Sequence, residues 1–340
     1  MREYLLCLLA AAAVTYLLTP PVRSLALRYG FVAEVRDRDV HAEPTPRLGG
    51  LAMLGGVLAG LLLASKLPMM RSVFEGTNTA VALLSGVAII VALGVIDDKW
   101  GLDAPTKLAG QVLAAGVMAF QGVAVIWLPI GGTFVLDPVT SVLFTVLIVL
   151  ISINAINFVD GLDGLAAGIV MVAAGAFFAY SYLLSVELGF ERATLATLVS
   201  VLLVGLTLGF LPHNFFPARI FMGDTGSMML GLLLAAGTIT LSGQVDPSAV
   251  AGGALFPALL PVLLPVAVMA IPLVDLLLAV VRRTVDDFQG QEEKIIFIST
   301  VVTRPTTLDA LDSEIGFLNN PKRFNVAISR AMALNVIVGH

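Results

Sequence analysis

The sequence predicts an all-α polytopic membrane protein with about nine transmembrane helices and its N-terminus outside the cell, followed by a small α/β segment. Of its 340 residues, 58% are hydrophobic and only 13% are charged, and the mean hydropathy is +0.97. A soluble domain carries about a quarter charged residues, so this composition excludes an ordinary water-soluble protein. The apolar residues also gather into runs of the roughly 17–25 residues that a helix needs to cross a bilayer.

Polar segments separate these runs and define the predicted spans. The spans fall near residues 3–22, 48–65, 79–96, 107–127, 138–157, 162–185, 193–211, 227–243 and 254–281. The first run is interpreted as a retained span that stops at Pro20-Pro21, because no small-residue cleavage site precedes the prolines. Glycines predict close helix approach in span two and span six, at Gly49-Gly50, Gly55-Gly56, Gly60, Gly164 and Gly168. The single cysteine, Cys7, excludes an internal disulfide and a thiolate metal site.

The basic residues predict the orientation of the spans. With the N-terminus outside, ten of them fall on the cytoplasmic side and four on the outer side, as the positive-inside rule requires. The inner set is Arg23, Arg28, Arg36, Arg38, Arg47, Lys99, Lys107, Arg219, Arg282 and Arg283, and the outer set is Arg2, Lys66, Arg71 and Arg192. This asymmetry is more informative than the net charge of −5.

Three groups of acidic and polar residues lie where one apolar run ends and the next begins. They are Asp97-Asp98, residues 157–164 and residues 221–227. The predicted orientation places all three on the cytoplasmic side. Carboxylates are costly near hydrocarbon and usually mark function there. We therefore predict one shared site, in which several carboxylates hold a divalent cation and, through it, a pyrophosphate.

The first two groups suggest different roles. Adjacent residues on a helix point about 100° apart, so Asp97 and Asp98 cannot both face one small ligand; one would meet a metal or a proton while the other orients its neighbours. By itself this doublet would favour a solvated helix end. The 157–164 segment offers Asn157, Asp160 and Asp163 to Mg²⁺, ribose hydroxyls or a uracil edge, and it is too short for a helix–loop–helix Ca²⁺ site.

The third group allows two interpretations of Asp224, as an N-cap or as a metal ligand whose phosphate partner takes free backbone amides at the helix start. Upstream, His213 is a candidate proton carrier, Asn214 an amide ligand and Arg219 a phosphate-binding guanidinium. Arg47 follows two prolines in the first cytoplasmic loop. It would contact either lipid head groups or a substrate phosphate.

These motifs resemble a known family, the polyprenyl-phosphate N-acetylhexosamine-1-phosphate transferases of glycosyltransferase family 4. The resemblance covers about residues 1–284 and is closest to the bacterial undecaprenyl and decaprenyl branch that uses N-acetylglucosamine. The residues that carry it, in family order, are His41 with Pro44-Thr45-Pro46-Arg47-Leu48-Gly49-Gly50, Asp97-Asp98, the Asn157–Gly164 loop, Pro212-His213-Asn214 and Phe221–Ser227.

The resemblance implies a reaction, a cofactor and a set of roles. UDP-N-acetylglucosamine and polyprenyl phosphate would give polyprenyl-diphospho-N-acetylglucosamine and UMP, with Mg²⁺ or Mn²⁺ as the cofactor, at the start of cell-envelope glycan synthesis. Asp224 and Asp97 would bind the metal, and Asp97 and Asp98 would position or deprotonate the lipid phosphate. The expected substrate-binding residues are Arg47, Lys107, Asn157, Asp160, Asp163, His213, Asn214 and Arg219. The family also implies a homodimer in the bacterial plasma membrane, with a cytoplasmic active site.

The chain changes character near residue 284. Family members continue into a His-rich cytoplasmic segment and further spans, whereas residues 285–340 resemble the last motifs of superfamily 1 RNA-decay-type helicases, with Gln289 and Arg330 near ATP by resemblance. We expect domains at 1–284 and 285–340, joined by fusion or by a mis-joined reading frame. Without the His-rich segment, weak or absent activity is expected if that segment contributes to catalysis.

Two other function classes remain open at this point. A transporter with a carboxylate-lined site is one, although the acids sit at span ends rather than near the bilayer midplane. A remnant of an ATP-dependent helicase is the other, for the tail alone. No Gly-x-x-x-x-Gly-Lys-Ser/Thr loop accompanies the tail, so neither ATP hydrolysis nor a nucleic-acid partner is expected.

Overall fold

The computed structural model describes residues 1–32, 45–74, 78–128, 134–186 and 194–242, together with Val274 and Leu278. Eight longer helices occupy these ranges: α1 (Arg2–Tyr29), α2 (Gly49–Ala64), α4 (Thr79–Trp100), α5 (Ala104–Phe120), α6 (Pro138–Val159), α7 (Leu165–Val186), α8 (Thr194–Asn214) and α9 (Gly223–Ser242). A 3-10 turn (Pro68–Met70) and a short α3 (Arg71–Phe74) precede α4. An antiparallel pair, β1 (Trp127–Leu128) and β2 (Phe134–Val135), joins α5 to α6, with Trp127 opposite Val135.

The predicted all-α polytopic class is confirmed. Within the ranges that the structure describes, six helices, α1, α4, α6, α7, α8 and α9, are long and apolar enough to cross a membrane, and α2 is a shorter apolar helix. Helices suit this setting because every backbone polar group in the bilayer core must be satisfied within the protein. Each of the first eight predicted spans overlaps a helix of the described residues. The fourth, near 107–127, was drawn too long, because α5 ends at Phe120 and is not among the helices long and apolar enough to cross a membrane. The ninth, near 254–281, lies outside the described residues, so the count of nine stays a prediction.

The first helix differs from its predicted end. It continues through Pro20 and Pro21 to Tyr29 instead of stopping near residue 22. Since Pro20 has no N–H, the carbonyl of Tyr16 loses its helical donor. The Nε2 atom of His213 lies 3.2 Å from that carbonyl oxygen, and the rings of His213 and Tyr16 are in contact at a tilt of 36°, with centroids 4.8 Å apart. A carbonyl can only accept, so Nε2 carries the proton and His213 repairs the gap in α1.

Helix α9 is the central helix of the bundle. Of its apolar stretch 94% is buried, compared with 22% for α1, and it packs against α2, α4, α6 and α8. Small residues permit this crowding. A methyl group at Gly50 would lie 2.3 Å from the Gly226 nitrogen, and one at Gly94 would lie 2.4 Å from Thr225 Cα. The start of α9 is therefore in backbone contact with α2 and α4.

The same end of the bundle gathers the polar helix termini. The Gly49 amide donates to the Phe221 carbonyl at 3.0 Å and the Gly50 amide to the Met222 carbonyl at 2.9 Å. The Lys99 ammonium donates to the Tyr29 carbonyl. At this end of the bundle, these bonds tie the start of α2 to the segment that precedes α9, and the end of α4 to the end of α1. All three predicted acidic groups lie there.

The glycine predictions are mostly confirmed. Added methyl groups would lie 2.1 Å from Thr15 Oγ1 at Gly56 and 2.2 Å from a Leu202 methyl carbon at Gly60. At Gly168 nothing lies within 4 Å of such a methyl group, so the prediction of a close approach there was wrong.

We predict that Gly94→Ala destabilises the protein by about 1–3 kcal/mol, because the new methyl group meets the backbone of α9 and overpacks the interface. Gly116→Ala is the matched control. It also lies within a helix, but its methyl group would have nothing within 4 Å, so the better helix propensity of alanine should leave stability equal or slightly higher. Thermal unfolding in detergent measures both. Equal melting temperatures for Gly94→Ala and the wild type would contradict the close packing of α4 on α9.

Candidate active site

The N-terminus of α9 is capped by a carboxylate from another helix. Asp98, near the end of α4, accepts the Asp224 amide at 2.8 Å, the Thr225 amide at 3.0 Å and the Thr225 hydroxyl at 2.6 Å. The first amides of a helix have no intrahelical acceptor, and the helix dipole favours an anion there. Gly223 has φ 71° and would bring a methyl group to 2.6 Å from the Asp98 oxygens, so only glycine fits.

Its neighbour Asp97 points in a different direction, as helix geometry predicts. One Asp97 oxygen accepts the Leu102 amide at 2.6 Å, which shapes the tight connection from α4 to α5. The other oxygen lies 2.7 Å from the ammonium of Lys107 in the first turns of α5. The same ammonium lies 2.9 Å from an Asp224 oxygen. One cation therefore bridges two carboxylates that come from different helices.

Asn157, at the end of α6, completes the surroundings of Asp224. Its amide nitrogen donates to Asp224 Oδ1 and, at 3.0 Å, to the hydroxyl of Ser227. The Ser227 hydroxyl in turn donates to the Gly223 carbonyl at 3.0 Å. The Asp224 carboxylate is thus held by α5 and α6, while its backbone is held by α4.

Asp160 lies just after α6 and differs from Asp97, Asp98 and Asp224 in its side-chain contacts. Its side chain is half-buried and makes no hydrogen bond or ion pair with the described residues. Burial, then the negative charges of Asp224 and Asp98, raise the pKa of Asp160 well above its ordinary value, and Arg47 offsets part of this effect. A carboxylate that lies near other carboxylates and has no hydrogen-bond donor among the described residues can bind a ligand that supplies either a donor or a cation.

Asn214 and Asp163 join two loops. The buried Asn214 accepts the Gly164 amide at 3.1 Å and donates to the Ile220 carbonyl at 3.1 Å. Asp163 accepts the Ala218 amide at 2.9 Å. The loop after α6 is therefore fastened to the loop before α9. In this arrangement both side chains hold backbone, which is a positioning contribution to the site.

The remaining predicted residues lie around this centre. Arg47 is exposed and its backbone forms a parallel bridge with Phe221, which places it beside the start of α9. Arg219 is exposed, and its carbonyl accepts from Arg23 Nε at 2.9 Å. His213 is engaged with Tyr16 of α1. The contacts thus join Asp97, Asp98, Lys107, Asn157 and Asp224 directly, whereas Arg219 and His213 are linked to the centre only through backbone. His41 lies outside the described residues.

Two residues of the centre were not among the predicted site residues. Thr225 and Ser227 are fully buried and bond to Asp98 and Asn157 respectively. The available signal was their position, since hydroxyls next to an acid at a helix start commonly serve as cap partners.

The donor set fits a magnesium ion. Among the described residues no three His, Cys, Asp or Glu side chains are grouped as a metal site, as an all-protein cage would require. Mg²⁺ instead takes one or two carboxylates and keeps waters or phosphate oxygens as its other ligands. Asp97 and Asp224 already share one cation, the Lys107 ammonium, so their carboxylates can face a common point.

Comparison with known proteins gives several matches. The model of glycosyl transferase family 4 matches residues 80–242. The decaprenyl-phosphate N-acetylglucosaminephosphotransferase of Mycobacterium tuberculosis is 49% identical over 289 residues, which is 84% of this chain and 72% of the relative. A probable undecaprenyl-phosphate N-acetylglucosaminyl 1-phosphate transferase of Bacillus subtilis is 30% identical over 75% of this chain and 70% of its own length. The phospho-N-acetylmuramoyl-pentapeptide-transferase of Mycolicibacterium smegmatis is 35% identical over 73% and 78%.

The C-terminal segment has a separate match. An AAA domain model matches residues 274–340, in agreement with the helicase-like resemblance of the tail. That segment, including Gln289 and Arg330, lies almost wholly outside the described residues, and the boundary at residue 284 stays a prediction.

This chain is 49% identical to relatives over more than two thirds of their length, and its motifs occur in the family's order. These two findings show which family it belongs to. The chain is a multi-pass bacterial membrane protein that belongs to glycosyl transferase family 4.

Proposed function

We propose that this protein transfers N-acetylglucosamine-1-phosphate from UDP-N-acetylglucosamine to a polyprenyl phosphate and releases UMP. The names of its 49%-identical relatives support the donor sugar and the lipid acceptor. The observation that carries the proposal is the meeting of Asp97, Lys107 and Asp224 at the capped start of α9. This is an arrangement suited to anionic substrates that bring a divalent cation.

In the proposed reaction, a phosphate oxygen of the lipid attacks the phosphorus that carries the sugar. The bond from that phosphorus to the UMP oxygen breaks, and UMP leaves with the electron pair. A phosphate monoester has a second pKa of about 6, so the acceptor is already largely ionised at neutral pH. The protein therefore has more need to neutralise and align charges than to supply a strong base.

Each residue has a role in this proposal. Asp97 and Asp224 would hold Mg²⁺, or Mn²⁺ in its place, which when bound neutralises phosphate charge and orients the oxygens. Asp98 acts on the reaction by fixing the backbone of Asp224, and so contributes as a positioning residue. The substrate-binding set comprises Lys107, Arg47 and Arg219 toward the phosphates, and Asn157, Asp160, Asp163, His213 and Asn214 toward the nucleotide-sugar, directly or by shaping its loops.

The membrane setting also supports the proposal. A polyprenyl tail lies in the bilayer while a nucleotide-sugar comes from water, so the two substrates can meet only at the membrane surface. The polar ends of the helices in this bundle form such a surface. The excess of basic residues on this side predicts that it faces the cytoplasm. A homodimer stays a prediction of the family resemblance. The comparisons give no support to the transporter alternative.

One prediction of the proposed function concerns Asp224, at the centre of the site. Asp224→Asn should lower UMP release at least about 100-fold, because it removes one of the two carboxylates of the proposed cation site and leaves Lys107 paired with Asp97 alone. UMP is measured with purified protein, UDP-N-acetylglucosamine, decaprenyl phosphate and MgCl₂, with the lipid omitted in parallel.

Asp137→Asn is the matched control for this substitution. Asp137 caps α6 at the helix end that is remote from Asn157, and asparagine caps almost as well as aspartate. The control should keep wild-type turnover. Full activity of Asp224→Asn, or UMP release without lipid, would remove the basis for the proposed roles. EDTA should abolish turnover, and excess Mg²⁺ should restore it.

Another prediction concerns Asp160, whose carboxylate makes no hydrogen bond or ion pair with the described residues. Its folded-state pKa is raised, so the folded protein binds the proton more tightly than the unfolded chain does. Stability from this group is therefore gained as the pH falls through the raised pKa, and at neutral pH its charge is a cost. In EDTA, Asp160→Asn should melt at a higher temperature than the wild type at pH 8, and the gap should close as the pH is lowered toward 5.

The same Asp160→Asn variant should lose turnover, since the carboxylate is proposed to bind substrate. A gain in stability with a loss of activity would identify a functional acid. A lower melting temperature at pH 8 would show that the Asp160 charge is compensated in the folded protein, against this account.

A further inference from the structure

Lys107 lies between two carboxylates and is largely shielded from water. Its ammonium touches one oxygen of Asp97 and one of Asp224, at 2.7 and 2.9 Å, and only a fifth of its side chain is exposed. The Asp97 side chain is 7% exposed and that of Asp224 is 29% exposed. The three groups are therefore largely shielded from water, where ionic contacts are stronger than at an open surface.

The charges explain why a lysine stands there. Two carboxylates facing one point repel each other, and Asp98 adds a third negative charge close by through its bonds to the Asp224 and Thr225 amides. Without a positive charge between them, Asp97 and Asp224 would be forced apart or protonated. The ammonium holds them at the separation of a shared ligand. A divalent cation bound to the same two carboxylates would need the space that the ammonium occupies.

We infer that Lys107 is the resting counter-ion of the metal site and competes with the divalent cation for Asp97 and Asp224. Lys107 leaves the carboxylate pair when the cation is bound, and its long, flexible side chain then carries the positive charge toward the substrate phosphates. This inference rests on the proposed function for the identity of the cation and of the phosphates. It adds that metal affinity in the substrate-free protein is kept low by a residue of the site itself.

The direct test measures metal binding without substrates. Purified protein, free of nucleotide and lipid, is titrated with Mn²⁺, and free Mn²⁺ is read by electron paramagnetic resonance. Lys107→Gln removes the charge and should bind Mn²⁺ about tenfold more tightly or better than the wild type, because a competing unit charge at contact distance is gone. Lys107→Arg keeps the charge and should stay near wild-type affinity.

Lys99→Gln is the matched control. Lys99 lies at the same end of the bundle but donates to the Tyr29 carbonyl and is outside the carboxylate pair. Its loss should leave Mn²⁺ affinity unchanged. Equal or weaker Mn²⁺ binding by Lys107→Gln, in a preparation with a normal gel-filtration profile, would overturn the inference.

A second measurement uses the unmutated protein, in case Lys107→Gln does not fold. Amine acetylation is followed residue by residue with mass spectrometry, with and without saturating Mn²⁺. Labelling of Lys107 should rise several-fold when Mn²⁺ is present, because its ammonium is released from the two carboxylates, while labelling of Lys99 stays constant. Unchanged or reduced labelling of Lys107 would contradict the competition.

The two levels of the proposal fail in different ways. If the substitutions and Mn²⁺ behave as stated but no UMP is ever released, the counter-ion role stands and the proposed reaction does not. If UMP release is normal and Mn²⁺ affinity ignores Lys107, the reaction stands and the counter-ion role is wrong.

Discussion

The bidentate cap that Asp98 places on the start of α9 is the interaction on which the rest of the site depends. It satisfies two amides and a hydroxyl in a single contact between α4 and α9. Because Asp97 is the preceding residue on α4 and Asp224 is the residue whose amide is bound, the same contact sets the distance between these two carboxylates. Lys107 can then bridge them, and Asn157 can reach Asp224 from α6.

The close packing of the bundle follows from this arrangement. A carboxylate of α4 can reach the amides of α9 only if the two backbones nearly touch, which explains glycine at position 94 and at position 223. The same crowding makes α9 the most deeply buried of the six span-length helices in the described ranges, although it begins with the polar residues Asp224, Thr225 and Ser227. The polar side chains at the start of α9 are tolerated because Asp98, Asp224, Thr225 and Ser227 bond to one another or to their neighbours, whereas the half-buried Asp160 side chain bonds to none of the described residues and is therefore available to a ligand.

Much of this could be predicted from the sequence, for identifiable reasons. Long apolar runs predict the helices. The acidic groups at the ends of these runs predict a functional site, because carboxylates are costly near lipid and are rarely placed there without a function. The end of α1 could not be predicted. The Tyr16 carbonyl that Pro20 leaves without a helical donor is bonded by His213, which is distant in sequence. The sequence predicted that Asp97 and Asp98 have different roles. It could not show that Asp98 is the one that binds the α9 backbone and Asp97 the one that faces the cation. That Asn214 and Asp163 would hold backbone could not be foreseen either, because an amide looks the same in a sequence whether it binds a substrate or a loop.

The most direct test of the central claim is hydrogen–deuterium exchange of the peptide that covers residues 222–228, in the wild type and in Asp98→Ala. The account predicts slow exchange of the Asp224 and Thr225 amides in the wild type and exchange at least about tenfold faster in the variant, with peptides of α7 unchanged. Equal protection in both proteins would show that Asp98 does not cap α9, and the proposed construction of the site would be wrong.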